Sequence, residues 1–123
     1  MKKLARFTLL ISALLFSGYS HANGHDLLRI CETTKELKTL KEPVDAVGVG
    51  FCLGILEGVR NTIHMIQTAQ DRPILCYLEK DGIGKEESLN IVVGYLKANP
   101  KKLHLDKSVL IMLALADNYP CRN

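Results

Sequence analysis

Residues 44–66 read VDAVGVGFCLGILEGVRNTIHMI, and this stretch decides the fold class. It is apolar nearly all round as far as Leu56, which predicts a long helix over about 44–66, opened by Pro43. Glu57 and Arg60 within it argue against a transmembrane helix. Small residues recur at every fourth position and therefore share one side of the helix. They are Ala46, Gly50, Gly54 and Gly58.

The glycines of this stripe destabilise a helix, since each is about 1 kcal/mol less favourable there than alanine. A stable helix retains them where another backbone must approach closely. We therefore interpret Gly50, Gly54 and Gly58 as helix-packing positions rather than as part of a ligand site.

Two further helices are predicted on either side of this stretch. Before it, apolar residues at helical spacing indicate a helix over about 27–38, with Asp26 as its N-cap. After it, a helix over about 85–98 has acidic residues in its first turn and Lys97 in its last, and Asn99-Pro100 ends it.

A last helix is predicted over about 107–117, capped by Asp106. Its run Val109–Ala116 has no polar residue, so it should be covered on both sides, either in the centre of the fold or at a subunit interface. The sequence thus predicts an all-α fold, a small bundle of four to five helices.

The first 22 residues have the pattern of a secretory signal peptide. Lys2, Lys3 and Arg6 precede a largely apolar stretch at 7–16, and Ser20-His21-Ala22 offers small residues at a cleavage site. The apolar stretch is shorter than the ~20 residues that span a bilayer. We expect cleavage after Ala22, export to the periplasm, and a single mature domain over 23–123.

Composition and charge restrict the partners of that domain. The chain has 123 residues, 47% hydrophobic and 24% charged, which is ordinary globular composition. Its formal charge of +3 comes from Lys2, Lys3 and Arg6, so the other 13 basic residues balance the 13 acidic ones. A neutral domain has no basic surface for nucleic acid or for an anionic membrane. We expect neither as a partner of the mature protein.

All four cysteines lie in the mature region, and in a small exported domain they predict two disulfides with three possible connectivities. Cys31 and Cys52 lie at similar distances on either side of the turn between the first two helices, so they can face each other. Cys76 precedes the third helix and Cys121 follows the fourth, and these ends meet in an antiparallel hairpin. We therefore predict Cys31–Cys52 and Cys76–Cys121.

No catalytic motif is present in the sequence. There is no GxSxG, HExxH, P-loop or GxGxxG pattern. His64 is predicted near the C-terminus of a helix, where an imidazole suits the helix dipole, and His104 lies in a lysine-rich surface loop. A cysteine in a disulfide is not a thiolate, so neither histidine is predicted to activate a cysteine nucleophile. A mature Asn23-Gly24-His25 terminus has the nitrogens for a square-planar Cu(II) site. Every free terminus with histidine in third position has the same nitrogens, so this pattern does not indicate a dedicated metal site. We predict no enzyme, no cofactor and no dedicated metal site.

Residues 67–84 are the longest irregular stretch, and a loop of this length in a compact domain is often functional. Cys76 would tether its middle and reduce the ordering cost of binding. The loop Asp71–Lys85 is therefore the predicted partner-binding segment, with Ile91 and Tyr95 on the third helix as a competing surface for a partner or a dimer. The predicted partner-binding residues are Asp71, Arg72, Tyr77, Glu79, Lys80 and Asp81.

Several motifs occur together along 27–121. A cysteine in the first helix is followed by Phe51-Cys52-Leu53-Gly54-Ile55-Leu56-Glu57-Gly58, by Cys76, by Tyr95-Leu96-Lys97-Ala98-Asn99-Pro100, and by Tyr119-Pro120-Cys121. In combination they resemble the Rap/Tai family of immunity proteins against type VI secretion amidases.

This resemblance implies an all-helical periplasmic domain, often a homodimer, that binds and blocks a peptidoglycan amidase effector. The catalytic groups then belong to the effector, in agreement with their absence here. An alternative of another class is a small periplasmic helical chaperone or stress protein without a toxin partner; two disulfides favour a more rigid domain than such chaperones have.

Overall fold

The computed structural model describes residues 23–36, 45–71, 73–76 and 83–121, and four α-helices account for most of them. They are α1 (Gly24–Glu36), α2 (Ala46–Gln70), α3 (Lys85–Ala98) and α4 (Lys107–Asn118), with a 3₁₀ turn at Pro100–Lys102 between the last two. The predicted all-α fold is confirmed, and the bounds of α3 are those predicted.

The first helix begins earlier than predicted. Asn23, not Asp26, lies at its N-terminus, and the Asn23 Oδ1 atom accepts a hydrogen bond from the His25 amide at 3.0 Å. Asp26 lies inside the first turn and forms a 3.7 Å ion pair with Arg29. The apolar periodicity starts at Leu27, which is why it does not reveal the polar turn before it.

The second helix is shifted and longer than predicted. Asp45 is its N-cap, and its side chain accepts from the Gly48 amide at 3.1 Å. At the other end α2 continues to Gln70 and closes on Asp71, a left-handed residue with φ 48° whose N–H donates to the Gln67 carbonyl. Residues 67–70, predicted as loop, are therefore helical, and Pro43 lies outside the described residues.

Two helical hairpins pack together to form the bundle. Helix α1 packs mainly on α2, α4 mainly on α3, and α1 also packs on α3. Across this last contact Glu32 of α1 pairs with Lys97 of α3, and the pKa of Lys97 is raised because Glu32 accepts its hydrogen bond. The fully buried centre of the core includes Leu27, Val92, Leu96, Leu110, Ile111 and Leu115.

One disulfide closes each hairpin, as predicted. Cys31 of α1 is bonded to Cys52 of α2, and both are completely buried. Cys76, before α3, is bonded to Cys121, after α4. The Cys76 N–H also donates to the Tyr119 carbonyl at 3.0 Å, and the Tyr119 hydroxyl bonds to Glu87 at the start of α3. The segment before α3 is thus joined to the end of α4 by a disulfide and a backbone hydrogen bond, and the first turn of α3 is joined to it by a side-chain hydrogen bond.

Candidate functional site

The glycines that pack closely are not those of the predicted stripe. Gly50, Gly54 and Gly58 are exposed, and a Cβ atom added at any of them would meet nothing within 4 Å. The prediction that they pack against another helix is therefore wrong for the described part of the chain. The stripe faces outward because the core contacts of α2 come from the other side, through Gly48, Cys52, Leu56 and Ile63.

Close packing occurs instead at Gly24. A Cβ atom there would lie 2.4 Å from Leu110 Cδ1 and 2.8 Å from the Leu103 carbonyl oxygen. The Gly24 amide also donates to that carbonyl at 2.9 Å. The first two amides after Asn23 are thus already hydrogen-bonded, that of Gly24 to the Leu103 carbonyl and that of His25 to the Asn23 side chain, so a Cu(II) site at Asn23-Gly24-His25 would require both bonds to break.

An uncovered apolar surface runs along α2 onto α4. Eight large hydrophobic side chains are exposed among the described residues, and all belong to α2, the segment after it, or α4. Val47 and Met65 are the extremes, with 83% and 69% of their surface accessible. The others are Phe51, Leu53, Ile66, Ile74, Val109 and Met112.

A groove of about 520 Å³ lies within this surface, between α2 and α4. Gly58 lines it, and Ile66, Ile74, Val109 and Met112 form much of its wall. None of its described lining residues is charged, and only Thr62 and Ser108 are polar. The groove is therefore shaped for uncharged, apolar side chains.

The groove shows that the described residues do not cover α4 on both sides. Leu110, Ile111, Ala114 and Leu115 are buried, but Val109 and Met112 remain about 40% exposed. By length and composition alone, helix α2 could cross a membrane. This is weak evidence for a membrane span, because core helices of soluble proteins also have this length and composition. Its Glu57–Arg60 ion pair, at 3.1 Å, lies in the middle of that length.

The predicted partner-binding loop lies mostly outside the described residues. Arg72, Tyr77, Glu79, Lys80 and Asp81 fall there, and Asp71 is exposed at the C-terminus of α2. The described ends of the loop are anchored: Leu75 and Ile83 are buried. Sequence reasoning missed the residue that fixes its first turn, Gln67, whose Oε1 atom accepts from the Ile74 and Leu75 amides at 3.0 and 2.5 Å.

The competing surface on α3 is not an apolar one. Tyr95 is 9% exposed, and its hydroxyl accepts from Lys102 Nζ at 2.9 Å, while Ile91 is partly buried. Between α3 and α4 this side has an open groove of about 470 Å³ whose rim is polar, with Asn90, Asn99, Asp117 and Asn118 among its residues. It lacks the apolar area that a stable dimer contact needs.

Titratable groups give no sign of a catalytic centre. No group of three or more His, Cys, Asp or Glu residues able to hold a metal occurs in the described ranges. His64 and His104 are exposed and far apart in the chain, and all four cysteines are in disulfides. The features of the described residues that could contact a partner are the apolar surface and the anchored ends of the loop.

Comparison with known proteins agrees with this description. No curated protein and no solved structure matches the chain significantly. The family model of the Rap1a immunity proteins matches residues 23–121, from the N-cap of α1 to the second cysteine of the Cys76–Cys121 disulfide. The chain therefore belongs to the Rap1a immunity protein family.

Proposed function

We propose that this immunity protein acts in the periplasm, where it binds and inhibits a peptidoglycan amidase delivered by type VI secretion. Family membership supports protection against a secreted effector. The observation that carries the proposal further is the apolar surface on a rigid, disulfide-bonded helical body. A large exposed apolar patch of this kind marks a protein-binding surface.

Periplasmic location belongs to the same proposal. It rests on the signal-peptide pattern of residues 1–22 and on two disulfides, which persist in oxidising compartments. Amino-terminal sequencing of the exported protein should begin at Asn23. A first residue inside the apolar stretch 7–16 would contradict both the cleavage site and the domain boundary.

The test of inhibition uses the protein purified from the periplasm and exported amidases that have a Cys-His catalytic pair. We expect one of them to lose peptidoglycan hydrolysis at a 1:1 molar ratio, because a plugged active-site groove leaves no residual turnover. Tight binding without loss of hydrolysis would contradict inhibition. Suppressed aggregation of unrelated proteins without amidase binding would favour the chaperone alternative.

We further propose that the loop Asp71–Lys85 contributes to amidase binding. The anchoring of its ends by Gln67, Cys76 and Ile83 supports this, because it lowers the entropy lost when the loop is ordered by a partner. The test variant replaces Arg72, Lys80 and Asp81 by alanine and Asp71 by asparagine. Asparagine is used because alanine at φ 48° would add backbone strain unrelated to binding.

A control variant removes four charges of the same signs elsewhere, at Asp26, Arg29, Lys35 and Asp117. Both variants should keep the helical circular dichroism spectrum. We expect the loop variant to lose at least about tenfold in affinity for the amidase and the control to lose little. Equal inhibition by the two folded variants would remove the loop from the mechanism.

A further inference from the structure

We propose that the Cys76–Cys121 disulfide is a reducible tether: a dithiol oxidoreductase opens it in the folded protein while Cys31–Cys52 stays closed, and the opened protein binds the amidase more weakly. The selectivity of the reduction rests on where the two disulfides lie in the fold. Its effect on binding rests on the proposed function, in which the loop Asp71–Lys85 contributes to amidase binding.

The two disulfides differ in their access to solvent. Cys31 and Cys52 are completely buried in the core, where they join α1 to α2. Cys76 is exposed, and Cys121 is half-buried beyond the last turn of α4. Reduction requires a thiolate to reach one of the two sulfur atoms. An external thiol can therefore attack Cys76–Cys121 in the folded state, whereas Cys31–Cys52 becomes accessible only when the α1–α2 hairpin opens.

Opening the tether consumes one dithiol and yields two cysteine thiols. A thiolate of the dithiol attacks Cys76 Sγ, because Cys76 is the more exposed of the pair, and Cys121 Sγ leaves as a thiolate that takes up a proton. The second thiol of the dithiol then attacks the mixed disulfide and releases Cys76, which is protonated in turn. The dithiol is thereby oxidised to a disulfide, and the two cysteines receive two electrons and two protons.

Reduction changes the attachment of the segment before α3 and leaves the core intact. The Cys76 N–H bond to the Tyr119 carbonyl, at 3.0 Å, is a single neutral hydrogen bond and contributes little by itself. The Gln67 side chain still holds the Ile74 and Leu75 amides on the other side of this segment. The opened loop thus has one anchor fewer, so it loses more conformational entropy when a partner orders it.

The first measurement tests the selectivity and needs no amidase. Oxidised wild-type protein is incubated with dithiothreitol at neutral pH, and the released thiols are alkylated at intervals and located by peptide mapping. We expect Cys76 and Cys121 to be labelled at least about tenfold faster than Cys31 and Cys52, with the helical circular dichroism spectrum unchanged while only the first pair is labelled. In urea that unfolds the protein the two rates should converge, because both disulfides are then exposed.

The second measurement tests the effect on binding. It compares the oxidised protein with the selectively reduced and alkylated protein and with the double variant Cys76→Ser/Cys121→Ser, which needs no alkylation. Dithiothreitol is removed before the amidase is added, so that the amidase itself is not reduced. We expect both opened forms to bind the amidase about threefold to tenfold more weakly than the oxidised protein.

Two controls isolate the tether. Oxidised wild type treated with the alkylating agent alone should bind like untreated protein, and the serine variant should bind equally before and after dithiothreitol treatment. Equal labelling rates of the two disulfides in the folded protein, or earlier labelling of Cys31 and Cys52, would overturn the proposal.

The binding results also separate this proposal from the proposed function. Opened forms that bind the amidase within about twofold of the oxidised protein would overturn the tether's role and leave amidase inhibition standing. An oxidised protein that binds no amidase would overturn the proposed function and, with it, the effect of reduction on binding.

Discussion

Among the described glycines, Gly24 has the least room for a side chain. An alanine Cβ would overlap the Leu110 side chain and the Leu103 backbone, and backbone cannot move aside as a flexible side chain can. We expect Gly24→Ala to lower the free energy of unfolding by about 1–3 kcal/mol. Urea denaturation followed by circular dichroism measures this loss.

The matched control is Gly94→Ala on α3. Gly94 is exposed in mid-helix, and an added Cβ atom would meet nothing within 4 Å. Alanine there should stabilise the protein by up to about 1 kcal/mol through helix propensity. If both substitutions changed the free energy of unfolding in the same direction, the close packing assigned to Gly24 would be wrong.

Asp106 makes one part of the stability depend on pH. Its carboxylate caps α4 by accepting from the Ser108 amide at 2.8 Å, and this hydrogen bond, helped by the charge of Lys107, lowers the pKa of Asp106 from its ordinary value. The capping contribution is therefore complete at neutral pH and is lost as the pH falls through the lowered pKa. Asp106→Ala should cost about 1 kcal/mol at pH 7, and its difference from wild type should narrow below about pH 4.

Asp106→Asn separates capping from titration. Asparagine retains the acceptor oxygen but has no titratable carboxyl, so its unfolding free energy should stay close to wild type at pH 7 and lack this pH-dependent loss. Urea titrations at several pH values measure both. A pH profile of Asp106→Asn identical to that of wild type would show that other groups cause the acid dependence.

At the scale of the helices, sequence reasoning succeeded where one residue type has one physical role. Asp106 caps α4 and Asn99-Pro100 ends α3, as predicted. Sequence reasoning failed where the role of a residue depends on which element, or solvent, its side of the helix faces. A glycine stripe has the same sequence whether it faces the core or the solvent, and only the burial of Gly48 and Cys52 shows which side of α2 is inside.

The two disulfides differ in what each holds together. Cys31–Cys52 closes a sequence separation of 21 residues and Cys76–Cys121 one of 45. Chain entropy alone predicts losses of about 3 and 4 kcal/mol when each pair is replaced by alanine. Because Cys31 and Cys52 are also fully buried, replacing them by alanine leaves a void that adds to the loss. We therefore expect the two variants to lose similar amounts of unfolding free energy.

Thermal unfolding of the two double-alanine variants measures these losses, and non-reducing peptide mapping of the wild type checks the pairing. We expect both variants to lose several degrees in Tm. A variant without Cys76 and Cys121 that melts like wild type would show that the Tyr119 hydrogen bonds alone hold the segment before α3.

For the whole molecule, the exposed apolar surface could be predicted from the sequence only in outline. The apolar run Val109–Ala116 indicated that α4 needs cover on both sides, but it did not indicate that Val109 and Met112 are the side chains left about 40% exposed by the described residues. The sequence did not reveal the groove. Its walls come from α2 (Ile66), from the segment after α2 (Ile74) and from α4 (Met112), and only the packing of the two hairpins brings these residues together.

The order of the cysteine pairs bears on how the protein matures. The first cysteine is bonded to the second and the third to the fourth, so neither disulfide encloses or crosses the other. Under the proposed export, the chain emerges from the translocon amino terminus first, and each unpaired cysteine can be oxidised with the next one to appear. Such a protein reaches its native connectivity without reshuffling, and its yield should be insensitive to the loss of a disulfide isomerase while still requiring an oxidase.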